Sequence, residues 1–90
     1  MDYKKIVVKT IQLQFNTSSS RAEQVVDNLA TNYAVANALP ISDFWASNGA
    51  VFKRKFESYF AKAHVAGLNS GHQDLNQQLD VFEKTMISLF

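Results

Sequence analysis

The chain has no cysteine. That excludes a disulfide framework, a thiolate zinc site and a cysteine nucleophile, and it gives no reason to place the protein in an oxidising compartment, so the cytoplasm is the default expectation. Proline occurs once, at Pro40, and the three glycines stand isolated at 49, 67 and 71, which rules out a glycine-rich phosphate loop. The N-terminal region holds no apolar run longer than Ile6 to Val8 before Lys9 interrupts it. Neither a signal-peptide core nor a membrane span is expected. Asn16-Thr17-Ser18 fits a glycosylation sequon but has no secretory context in which to act. One-sided charge is also missing: the formal net charge is only +1, which argues against a strongly basic nucleic-acid binder and against an acidic mimic of nucleic acid.

What the chain does have is apolar mass. Of 90 residues, 47% are hydrophobic and 12% aromatic, with seven Phe, three Tyr and one Trp. This is the composition of one packed domain over residues 1–90. Its charges alternate in blocks. Lys4, Lys5, Lys9 and Arg21 dominate the first 21 residues, and Glu23, Asp27 and Asp43 are the only charges from 22 to 52. Lys53, Arg54, Lys55 and Lys62 outweigh Glu57 in the next stretch, and Asp74, Asp80 and Glu83 outweigh Lys84 in the last. Such alternation suits solvated helices, or a basic face that meets phosphate or an acidic protein.

The expected architecture is mainly α, with one N-terminal β-strand followed by three to four helices in a small bundle. The strand is placed at about 5–15, because Ile11, Leu13 and Phe15 alternate with Thr10, Gln12 and Gln14 in a stretch rich in β-branched residues. Val8, Ile11 and Phe15 also fall at i, i+3 and i+7, a spacing a helix would use. Ser20-Arg21-Ala22-Glu23 has the form of a capping box, so a helix is expected from 21 to about 38, with Pro40 stopping it. Ser42 is placed to cap a short helix at about 43–47, and Ser47-Asn48-Gly49 reads as a break before a longer helix at about 50–66. Phe52, Phe56, Tyr59, Phe60 and Ala63 line one side of that helix. Gly67-Leu68 resembles a Schellman stop. Ser70 with Gln73 offers a capping box for a last helix at about 71–88, whose Leu75, Leu79, Phe82, Met86 and Leu89 keep steps of four and three and should pack against the Phe52 to Phe60 stripe.

The residues point to no catalytic chemistry, no metal and no cofactor. His64 and His72 lack a partner at zinc-helix spacing, and His72-Gln73-Asp74 sits where an aspartate serves a helix start. No serine lies in a nucleophile elbow, and no carboxylate pair is set apart for proton transfer.

A single strand leaves unpaired amides and carbonyls, and the cheapest partner is the same strand of a second copy, which predicts a homodimer built on an antiparallel ribbon. With that strand, a capped helix and then Leu39-Pro40-Ile41-Ser42 opening a second helix, the first half of the chain resembles a ribbon-helix-helix DNA-binding module. The resemblance implies a dimeric regulator that reads the major groove with Thr10, Gln12 and Gln14, sets Lys4, Lys5 and Lys9 on phosphates, and holds a further phosphate at Ser42. The helix over 21–38 is longer than that family's first helix, and the outward positions hold no Arg or Lys.

The principal expectation is different in class: a small, non-catalytic helical protein-binding module of inhibitor, immunity or accessory type, masking a surface on a larger macromolecular partner. It rests on the missing chemistry and the abundant aromatics, since exposed aromatic side chains anchor interfaces. Trp45 and Tyr59 are its candidate anchors, and Lys53, Arg54 and Lys55 a basic rim that steers an acidic partner.

Overall fold

A computed structural model describes the whole chain, Met1 to Phe90, as four helices: α1 (Tyr3–Phe15), α2 (Ser19–Ala36), α3 (Phe44–Leu68) and α4 (Leu75–Leu89). None is long and apolar enough to cross a membrane. The mainly helical expectation holds, but the N-terminal strand does not exist. Residues 5–15 belong to α1, which satisfies its backbone groups internally where a lone strand would leave them unpaired. The Asp2 carboxylate accepts from the Lys5 amide at 3.0 Å to start it, and Asn16, at φ 48 and ψ 48, ends it in the left-handed conformation. Val7, Ile11 and Phe15 form its buried side, at steps of four, while Leu13, expected inside, is 68% exposed. Helical spacing therefore prevailed over alternation and β-branching. The shared ribbon, and with it that argument for a homodimer, loses its element.

The remaining helices shift at their ends. Ser18, not Ser20, caps α2, its hydroxyl accepting from the Arg21 amide at 3.1 Å. The helix closes at Ala36 through a Schellman arrangement one residue ahead of proline: the Leu39 amide donates to the Ala34 carbonyl, the Ala38 amide to that of Val35, and Ala38 takes φ 54. Leu39 then packs back on the core. The Schellman stop expected at Gly67-Leu68 is absent, because both residues lie inside α3. Ser47-Asn48-Gly49 does not break α3 either. Gly49 is buried against the Tyr3 ring, and that tertiary contact, with Phe44 and Phe52 buried on either side, offsets the roughly 1 kcal/mol that glycine costs a helix. Before α4, Gly71 at φ 84 turns the chain, and the Asp74 carboxylate caps by accepting from the Asn76 amide at 2.8 Å. Ser70 instead donates to the Gly67 carbonyl at 2.6 Å, so α4 starts four residues later than its capping-box signal implied.

Cross-contacts define the bundle. Lys4 reaches Asp27 across the short α1–α2 turn, making those helices antiparallel neighbours. Phe52 meets Phe90 and Phe60 meets Phe82, at centroid separations of 5.8 and 5.3 Å, so α3 and α4 are also antiparallel. Tyr3 with Gly49 and Phe15 with His64 set α1 parallel to α3, and Arg21 with Asp80 and Tyr33 with Phe90 set α2 parallel to α4. Round the bundle the order is α1, α2, α4, α3, with Asn37–Asp43 crossing a diagonal. One core of 17 buried apolar residues fills the middle. Phe52, fully buried, contacts Tyr33, Phe44, Trp45, Phe56 and Phe90, mostly edge to face, the geometry aromatic quadrupoles favour. The expected packing of α4 on the Phe52 to Phe60 stripe is present through Leu79, Phe82 and Met86, whereas Leu75 stays exposed and Leu89 half-buried.

Candidate functional site

Trp45 enters α3 one residue after buried Phe44, which fixes it at the mouth of the α2–α3 connection. Its ring is half-buried, edge-on to Phe44 and Phe52 at centroid distances of 5.5 and 5.1 Å. Beside it lies a groove of about 320 Å³. Ala30 and Ala34, one helical turn apart on α2, are buried along it, and Ile41, Phe44 and Trp45 line it from the connection and α3. Small side chains on α2 leave the space that the larger ones border. The polar margin is Thr31 with Lys4 and Asp27, paired at 3.0 Å. Ile41 is 61% exposed. A groove at the lower end of the size range for ligand pockets, open and apolar, suits an inserted side chain of a partner better than an enclosed small molecule.

The other candidate residues do not assemble with Trp45. Arg54 and Lys55 border one shallow depression with Val51 and Ser58, and Lys53 stands outside it, so the three form no single rim. Lys53 pairs with Glu57 at 3.0 Å, Arg54 is exposed without an ion pair, and the Lys55 ammonium lies 5.9 Å from the centre of the Tyr59 ring. Tyr59 is half-buried against Phe90. Phe44 is buried, and Trp45, Tyr59 and Phe90 are half-buried.

The residues assigned to a groove-reading strand are dispersed round α1. Thr10 donates its hydroxyl to the Ile6 carbonyl at 3.0 Å, Gln12 is half-buried, and Gln14 is exposed. Lys4 is held by Glu23 and Asp27, while Lys5 and Lys9 point outward unpaired. Ser42 lies in the turn before α3, where Asp43 occupies the cap position without a side-chain cap bond. The ribbon-helix-helix arrangement therefore lacks both its strand and its row of readers.

Electrostatics separate committed from free charge. Glu23, Asp27, Glu57, Asp80 and Glu83 all lie in ion pairs, and Asp2 and Asp74 cap helices, which leaves Asp43 as the single acid with neither task. Among the cations only Lys4, Arg21 and Lys53 are paired. Lys5, Lys9, Arg54, Lys55, Lys62 and Lys84 take part in no ion pair, whereas seven of the eight acids are paired or capping. The Lys4 ammonium is held above its ordinary pKa of 10.5, chiefly by its pairing with Asp27, which outweighs the opposing effect of burial, with a lesser contribution from Glu23.

No group of three or more His, Cys, Asp or Glu side chains converges on a metal-sized site. The groove on Ala30, Ala34 and Ile41 was missed in sequence; its signal there was the small side chains of Ala30 and Ala34, four apart on α2. Compared with known proteins, the chain matches no family model, no curated protein and no solved structure.

Proposed function

We propose that the chain is a non-catalytic protein-binding module of inhibitor, immunity or accessory type, which masks a surface on a larger protein. The observation that carries this reading is the apolar groove between Ala30, Ala34 and Ile41, with the half-exposed Trp45 beside it. Interface energy concentrates where an aromatic anchor and a desolvated pocket meet, and both are present within one small region. The partner contributes an apolar side chain to the groove, and the free cations favour a partner whose surrounding surface is acidic.

The test is a photo-reactive amino acid at Ile41 of the full chain in cells that express it natively, with Gln77, exposed on α4, as the control position. A protein adduct at Ile41 that disappears when Ala34→Trp fills the groove, in a variant that still folds, is the expected result. Adducts to nucleic acid alone, or protein adducts equally frequent at both positions, would overturn it.

A further inference from the structure

α1 bears a second row of side chains on the side away from the core. Asp2, Lys5, Ile6, Lys9, Thr10 and Leu13 border a shallow open depression along it. Ile6 and Leu13 are 36% and 68% exposed and stand seven residues apart, close to two helical turns, so they share one line on the surface. Thr10 lies between them with its hydroxyl already bonded to the Ile6 carbonyl. Lys5 and Lys9 flank the line four residues apart, a like-charge spacing that costs a helix stability unless something neutralises it. The nearby acid, Asp2, is used on the Lys5 amide.

We infer that this outer face of α1 docks an acidic amphipathic helix of a partner protein, with apolar side chains on Ile6 and Leu13 and carboxylates on Lys5 and Lys9. The inference rests on the reading of the chain as a protein-binding module, and names the chemistry of a partner and a second place where it binds. Charge complementarity selects the occupant. A second copy of the chain fits less well, because five of its eight acids already hold cations of their own and two more cap helices, so self-association is one of the outcomes the test reads. A membrane-lying helix would set aromatic or several large apolar side chains beside many cations, and this face has two apolar residues, two lysines and no aromatic. Nucleic acid would meet an apolar line where its phosphates need cations.

The probe is a dye-labelled synthetic helical peptide with leucine along a heptad seam and glutamate beside it, titrated against the full chain by fluorescence anisotropy. Saturable binding that weakens with salt is expected, with affinity reduced about tenfold or more by Lys5→Glu with Lys9→Glu, and also by Leu13→Ser. A peptide with lysine in place of glutamate should reverse the order, preferring the double glutamate variant. All three positions lie outside the core, and circular dichroism verifies that each variant folds. Equal binding of acidic and basic peptides, or binding of neither, overturns the inference. So does tighter binding to phosphatidylserine vesicles or duplex DNA, or self-association that Leu13→Ser abolishes. The Ile41 cross-linking result stands apart from these: a groove-dependent protein adduct with a silent peptide titration removes only the α1 face, whereas absence of that adduct removes the module reading itself.

Discussion

A β-carbon placed on Gly67 would lie 2.8 Å from the backbone carbonyl oxygen of Gln78, closer than real contacts of that kind come. Glycine is therefore what lets α3 approach the first turn of α4. On propensity alone Gly67→Ala should gain about 1 kcal/mol inside a helix. The obstacle is backbone and cannot swing aside, so a net loss of about 1–3 kcal/mol is expected in denaturant unfolding. Gly49→Ala meets only the Tyr3 side chain, at 3.0 Å, and should cost distinctly less.

Ile11 and Leu13 separate a helical N-terminus from an extended one. Ile11 is fully buried and Leu13 mostly exposed. Ile11→Asp buries an unpaired charge and should unfold the domain, while Leu13→Asp should leave stability within about 0.5 kcal/mol of the parent. Thermal melts of the two variants check this, and a ribbon would have required both to fail.

Ser18 and Ser20 compete in sequence for the same role, and only Ser18 accepts the Arg21 amide. Ser18→Ala should lower stability by about 1 kcal/mol and Ser20→Ala should leave it nearly unchanged, read as shifts in the urea midpoint.

Ala38 closes α2 at φ 54, a conformation that costs a residue with a β-carbon about 1–2 kcal/mol. Ala38→Gly relieves that cost but adds freedom to the unfolded chain. A net gain of about 0.5–1 kcal/mol in stability is expected from equilibrium unfolding.

Lys4 links α1 to α2 through Asp27 and Glu23, and its pKa is raised in the folded protein. A raised pKa means the folded state holds this proton more tightly than the unfolded one. The contribution is complete below pH 10.5 and is lost as pH climbs through the folded value. The stability difference between the parent and Lys4→Gln should be constant from neutral pH to about pH 9 and shrink above it, by an amount kept small by solvent exposure.

Much of this was legible in the residues. The three-and-four spacing from Ala22 to Tyr33 and from Leu79 to Met86 identifies core-facing sides, and both sets are buried. Ends were harder to read. Ser18 and Ser20, or Ser70 and Asp74, are equivalent as chemistry, and which one meets a free amide depends on where the preceding turn delivers the chain. At the candidate site, Trp45 was visible as an aromatic beside a helix start. The groove next to it was not, because its lining comes from α1, α2 and the connection to α3.

Composition and periodicity by themselves determined an apolar-rich chain dominated by helices that bury Val25, Leu29, Phe52, Phe56, Phe82 and Met86, because those patterns are local and repeat along the chain. The tertiary structure alone decided that residues 3–15 coil, that α3 runs unbroken through Gly49, and which acids are spent inside the molecule. Each of those outcomes depends on a neighbour distant in sequence: the α3 surface under Phe15 and Tyr3, the ring of Tyr3 on Gly49, and the cations Lys4 and Arg21 reaching across to adjacent helices.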